Sequence, residues 1–291
     1  MDLCNISQVK ALLSRHGFYF SKSMGQNFLI DPRVPERISD LSGLDDSCGV
    51  LEIGPGIGAL TVELAKRANK VVAVELDKKL LPLLDETLRD YPNVEILSAD
   101  ALTIDYQELI KDKFTGLRPV VCANIPYNIT SPLISKLIES RRFETITLMI
   151  QREVAKRICA KPSTSDYGSF TIYVNYYTEP TILFDVPPDS FIPQPKVWSS
   201  VVLLKKRVLP PAEIKNESIF FKLVKASFEQ RRKTLVNGIF AAFGDRTTKA
   251  DIKELLEACG YPSNIRGEAV DIAGFACISN QITELLESKL G

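Results

Sequence analysis

The first half of the chain alternates short, continuously apolar runs with amphipathic stretches. VLEIG (50–54), KVVAVELD (70–77), VEILSAD (94–100), PVVCANIP (119–126) and TITLMIQ (145–151) have the length and composition of buried strands. Four stretches carry helical spacing instead: ALTVELAKRA (59–68), KKLLPLLDETLRD (78–90), SPLISKLIES (131–140) and REVAKRICA (152–160). In the first of these Leu60, Leu64 and Ala68 fall on one side, and in the second Pro82 sits within the opening turns, where proline is tolerated. Strands apolar on both faces, alternating with helices, predict an α/β fold: a mostly parallel sheet covered by helices on both faces.

Beyond residue 160 the pattern changes. SFTIYVNYYTEPTILFDV (169–186) and SSVVLLKKR (199–207) are rich in β-branched and aromatic residues and predict antiparallel strands. VLPPAEIKNES (208–218) is a polar, proline-containing connector, and the segments after it, beginning with IFFKLVKASFEQRRKTLVNGIFAAF (219–243), read as helices. The expected division is therefore a domain over 1–207 and a small α-helical C-terminal domain over 208–291.

Composition adds limits. The 291 residues are 45% hydrophobic and 25% charged with zero net charge, as in an ordinary globular protein. No apolar run reaches the roughly 18 residues of a membrane span, and the start lacks a basic segment followed by a long apolar one. A cytoplasmic protein without a membrane partner is expected. Six scattered cysteines without a C-x-x-C pair predict reduced thiols rather than disulfides or zinc, and the single histidine, His16, builds no metal site. Charge is uneven. Residues 196–233 hold ten Lys/Arg against three Asp/Glu, and 136–161 hold seven against three. Such segments are either phosphate-binding faces or merely solvated helix surfaces.

Candidate chemistry begins at EIGPGIGALT (52–61), where Gly54, Gly56 and Gly58 give G-x-G-x-G between a strand and a helix. Glycines there let the backbone turn sharply and approach a ligand. Glu75 ends the second strand, 21 residues after Gly54, where a carboxylate accepts both hydroxyls of a ribose. With Glu52 in front, the loop resembles the E-x-G-x-G-x-G of class I methyltransferases, which bind S-adenosylmethionine. That resemblance implies a Rossmann-like sheet, and it gives Asp100 the adenine amino group of the cofactor. No metal is implied.

The fourth strand ends in Asn124-Ile125-Pro126-Tyr127, on the side of the sheet where ligands gather. An adenine N6 is a poor nucleophile because its lone pair is delocalised. The Asn124 side-chain oxygen and the Ile125 carbonyl are candidate acceptors for its hydrogens, Pro126 stiffens the turn, and Tyr127 offers a face to an unstacked base.

NIPYNITSP (124–132), GQNFL (25–29), LEIGPGIGALT (51–61) and FIPQPKVWSSVV (191–202) together resemble the ribosomal RNA adenine N6-dimethyltransferases, above all the bacterial small-subunit (16S) group whose loss is associated with kasugamycin resistance. The resemblance spans essentially the whole chain. It implies dimethylation of two adjacent adenosines near the 3′ end of small-subunit rRNA, within immature small subunits, by a monomer. It assigns Asn27 and Leu29 to the cofactor alongside Gly54, Gly56, Gly58, Glu75, Asp100 and Asn124, and it places Phe191 against the target base opposite Tyr127; otherwise Phe191 packs in the core. Arg231, Arg232 and Lys233 of QRRK are expected to contact rRNA phosphates; otherwise the arginines pack against the catalytic domain. FEQRRKTLVN (228–237) also resembles the small-subunit enzyme, whereas GEAVDIAGF (267–275) stands where Arg-x-Glu-x-Leu-Ser is expected. A sister group, which methylates large-subunit rRNA and confers macrolide resistance, commonly carries His where this chain has Asn128. That activity is one alternative. A ribosome-assembly factor acting mainly by binding is another.

Overall fold

The apolar runs form the strands they predict, and their edges set the topology. The computed structural model describes residues 1–20 and 25–288. Strands β2 (Cys48–Ile53), β3 (Lys70–Glu75), β4 (Val94–Ser98), β5 (Arg118–Asn124) and β6 (Thr145–Gln151) pair in parallel. With β7 (Thr178–Val186) and β9 (Ser199–Lys206) they make a seven-stranded sheet of order β4-β3-β2-β5-β6-β9-β7. The pairing of β6 with β9 is antiparallel, from Thr145↔Lys205 to Gln151↔Ser199. All six residues of β2 are buried, which a strand needs when helices cover both faces of its sheet. A two-residue pair, β1 (Phe28–Leu29) with β8 (Phe191–Ile192), lies outside that sheet.

Helices α3 (Ala59–Ala65), α4 (Leu81–Thr87) and α6 (Thr130–Glu139) follow β2, β3 and β5. Three further helices have no counterpart in the expected pattern: α1 (Ile6–Arg15), α2 (Arg33–Leu41) and α5 (Tyr106–Lys113). Their start signals are nevertheless present. The Asn5 side chain caps the amides of Ser7 and Gln8, and Asp105 caps those of Gln107 and Glu108. His16 closes α1 and bonds Glu86 at 2.7 Å.

Contacts divide the chain into two compact units, Met1–Ala155 with Glu179–Lys206, and Lys156–Thr178 with Arg207–Gly291. The boundary expected near residue 207 is thus where the chain enters the second unit for the second time. Its first entry includes α8 (Ser169–Tyr177), which overturns the strand expected over 169–177. Propensity favoured a strand, but Ile172 and Tyr176, four residues apart, are both buried, and Tyr176 packs its ring on Phe220. The Thr171 hydroxyl donates to the Arg157 carbonyl at 2.7 Å, so the polar member of that face is satisfied as well.

The rest of this unit is α9 (Glu217–Glu229), α10 (Leu235–Phe243), α11 (Lys249–Ala258) and α12 (Ile272–Ser288) around Phe220, Leu223, Ile239, Leu256 and Phe275. The apolar stretch over 219–243 is broken at Gln230–Thr234, so QRRK occupies the turn between α9 and α10. The expectation of reduced thiols fails at one pair: Cys259, at the end of α11, is disulfide-bonded to Cys277 of α12. Packing of the two helices brings the Cα atoms to 6.0 Å, a proximity that a separation of 18 residues does not announce.

Candidate active site

The parallel register puts the carboxyl ends of β2, β3, β4 and β5 side by side, and a cleft opens beyond them. The glycine loop forms one wall. Gly54 and Gly56 have φ of 69° and 62°, a left-handed backbone that side chains disfavour. A Cβ on Gly56 would stand 3.0 Å from the Phe28 ring, so the space it leaves belongs to the cleft and to β1. Gly58 does something else. It precedes α3 and faces Leu88 and Thr87, and it does not line the cleft.

Two carboxylates come from the first and second strands of this set. Glu75 lines the cleft with 6% of its surface exposed. Burial pushes its pKa up, while the N–H groups of Asp77 (2.8 Å), Leu76 and Gly56 favour its charged form. Glu52 is 1% exposed, and its Oε2 has no hydrogen-bond partner. Burial pushes Glu52 up to about 8, the Thr61 hydroxyl opposes that shift, and the Glu75 charge adds to it. Sequence reasoning gave Glu52 no role of its own, although it opens the glycine motif. Asp100 also lines the cleft, and its Oδ1 accepts the Leu102 N–H at 2.8 Å.

A raised Glu52 has a consequence for stability. The folded chain keeps this proton between about pH 4.5 and about pH 8, where the unfolded chain has lost it. Stability therefore falls as pH rises through that window. Glu52→Gln is expected to flatten the slope and to stabilise the ligand-free protein at pH 8 by on the order of a few kcal/mol. Denaturant melts at pH 5 and pH 8 measure it, and an unchanged slope in the variant would contradict the assignment.

The opposite wall is Asn124, Ile125, Pro126 and Tyr127, all of which line the cleft. GQNFL closes over the top. Gln26 Nε2 donates to Asp77 Oδ2 at 2.7 Å, and Asn124 Nδ2 donates to the Asn27 carbonyl at 3.4 Å. The segment thereby reaches from the end of β3 to the end of β5, with Asn27 and Leu29 in the lining. In this arrangement the Asn124 amide nitrogen is engaged and its oxygen remains an acceptor. The Tyr127 hydroxyl is hydrogen-bonded to Ser199 Oγ at 2.7 Å, which pins a half-buried ring.

Phe191 departs from the expected picture. It is 3% exposed, belongs to the core and pairs through its backbone with Leu29, so it does not line the cleft. The β1–β8 pair turns it inward, and in this structure it presents no face to a base opposite Tyr127.

A family model described as ribosomal RNA adenine dimethylase matches residues 17–265. The chain belongs to the ribosomal RNA adenine dimethylase family. Relatives agree over nearly full lengths. The ribosomal RNA small subunit methyltransferase A of Geobacillus thermodenitrificans is 46% identical over 287 residues, 98% of each chain. The protein of the same name from Listeria welshimeri is 44% identical over 99% of each. Among solved structures, a dimethyladenosine transferase from Plasmodium falciparum aligns with a TM-score of 0.75 and 27% identity, over 88% of this chain and 98% of that one. The 23S rRNA methyltransferase ErmE aligns at 0.69 and 27%, over 88% and 100%. The fold of this dimethylase is that of class I methyltransferases.

In the helical unit of the dimethylase the three basic residues of QRRK differ. Arg231 donates to the carbonyls of Ser165 (2.9 Å) and Tyr167 (3.0 Å) and lies 3.5 Å from Glu268, so it braces its own unit. Arg232 and Lys233 are exposed in the turn.

Proposed function

We propose that this chain transfers methyl groups from S-adenosylmethionine to the N6 atoms of two adjacent adenosines near the 3′ end of small-subunit rRNA. It acts in the cytoplasm, as a monomer, on immature small subunits. The observation that carries the reading is the convergence of Asn124–Tyr127 on the glycine loop in one cleft.

The residues present suit an adenosyl methyl donor. Glu75 suits the ribose hydroxyls and Asp100 the adenine amino group. The unpartnered Oε2 of Glu52 suits a hydrogen-bond donor of the ligand, and the space beside Gly56 lets a ligand approach the backbone. When bound, that cofactor supplies a methyl group on a positively charged sulfur. Asn124 Oδ1 and the Ile125 carbonyl accept the hydrogens of the target amino group and favour a pyramidal nitrogen with an available lone pair. Tyr127 holds the extruded base by stacking. Catalysis on this view is positioning and electrostatics, with no ionised base acting first. After one transfer the cationic nitrogen gives up a proton to solvent and keeps one hydrogen, and stacking on Tyr127 persists for the second.

Incubation with labelled S-adenosylmethionine and immature small or large subunits, followed by mapping of the label, tests the reading. Label confined to large subunits would favour the macrolide-resistance alternative. An Asn124→Ala variant that holds particles without methylating them would expose an assembly role beside the enzymatic one.

The turn between α9 and α10 is the proposed phosphate contact of the helical unit. Arg232→Glu with Lys233→Glu is expected to weaken particle binding about tenfold at low salt and to flatten its salt dependence. Arg231→Glu would instead lower the melting temperature, because it breaks internal bonds. An unaltered salt slope in the double variant would remove the turn from the interface.

A further inference from the structure

Trp198 is the single tryptophan of the chain, and 43% of its surface is exposed. It stands just before β9, and its carbonyl accepts the N–H of Arg152 at 2.9 Å. The Arg152 guanidinium lies over the indole, 5.2 Å from the ring centroid. The next residue along, Ser199, is the one that holds the Tyr127 hydroxyl. A flat cation is therefore stacked on a flat aromatic one residue from the anchor of Tyr127.

Their place in the sheet bears on what they meet. The cleft lies beyond β2, β3, β4 and β5, while β6 and β9 continue the sheet on the other side of β5. Met149 of β6 pairs with Asn124 of β5 and with Val201 of β9, and Arg152 and Trp198 stand three residues from that row, at the same end of the sheet as the close of β5. Arg152 is also 3.8 Å from Asp185, whose other oxygen accepts the Ser200 hydroxyl. The carboxylate partly cancels the guanidinium charge, which makes the pair a poor phosphate ligand and leaves its flat faces as the main attraction. Lys196, two residues before Trp198, is exposed and supplies the uncompensated positive charge that a backbone phosphate needs.

Extruding a base removes a stacking partner from its neighbours. Aromatic side chains replace such a partner for any base, and arginine adds to the stack. We propose that Trp198 and Arg152 form a stacking platform for the nucleotide next to the adenine being methylated, a binding element for an unpaired RNA strand. The proposal rests on the RNA-methylating function proposed above.

Two measurements on the full chain test it. In steady-state methyl transfer to small-subunit particles lacking dimethyladenine, Trp198→Ala is expected to raise KM for particles about tenfold, while Trp198→Phe stays within about threefold of the parent. Affinity for S-adenosylhomocysteine, measured in parallel, should match the parent in both variants and reports that the first unit is folded. A particle KM that is the same for Trp198→Ala and the parent overturns the platform. The second measurement needs no turnover. With one tryptophan, fluorescence excited at wavelengths that the nine tyrosines do not absorb reports Trp198 alone, and a short oligoriboadenylate added with S-adenosylhomocysteine should quench it saturably. Unchanged emission overturns the platform. A parent chain that is quenched but methylates no small-subunit rRNA sinks the functional reading and leaves the platform standing.

Discussion

Asn124→Ala is expected to lower kcat for methyl transfer by about 10²–10³-fold, the loss typical when one preorganised hydrogen-bonding group is removed from a reacting centre. The side chain ends β5 and lines the cleft, with its amide nitrogen held by the Asn27 carbonyl at 3.4 Å. That bond leaves the oxygen to accept from the target amino group. Acceptance matters most as the nitrogen becomes pyramidal, so the interaction is stronger in the transition state than in the bound ground state. The rate should therefore fall far more than particle KM rises. The half-buried position tolerates alanine, and a thermal melt separates lost chemistry from lost fold. A folded variant with near-normal turnover would contradict the role of the amide.

The second large effect concerns Glu75. Its carboxylate sits in the cleft at 6% exposure, where burial makes its charge costly and three backbone N–H groups only partly offset that cost. Two hydroxyl donors from a ribose would add charge-assisted bonds of roughly 1.5–3 kcal/mol. Glu75→Ala should thus weaken S-adenosylmethionine binding about ten- to hundredfold. Affinity for RNA particles should change much less. Calorimetry with the cofactor decides the matter, and an unchanged dissociation constant would remove the ribose assignment. Glu75→Gln retains one acceptor and should fall between the parent and alanine.

What the chain disclosed in advance follows from how local each signal is. The strands of the first unit were legible because a buried parallel strand is apolar throughout, as in the fully buried β2. The cleft was legible for a related reason: Gly54, Glu75 and Asn124 each lie at a strand end, and parallel pairing brings strand ends together. Three things were not. The helix over Ser169–Tyr177 depends on partners such as Phe220, almost fifty residues away, which outweigh the strand preference of its aromatics. Phe191 was placed against the base by resemblance alone, with core packing as the alternative, and the pairing of Leu29 with Phe191 belongs to the core side of that choice. The Cys259–Cys277 bond depends on how α11 meets α12, which no spacing records.

The double entry of the chain into the helical unit bears on how that unit is made. Its core takes Tyr167 and Ile172 from the first pass and Leu223, Ile239 and Phe275 from the second. Arg231 in the second pass needs the carbonyls of Ser165 and Tyr167 from the first. During synthesis, residues 156–178 leave the ribosome well before the helices they pack against exist. The first of these helices, α9, begins only at Glu217, so α8 must wait, with Ile172 and Tyr176 uncovered, through the emergence of β7 and β9. Cleaving the finished protein at residue 207 would not release an intact helical piece, since the fragment 208–291 would leave its first-pass aromatics behind.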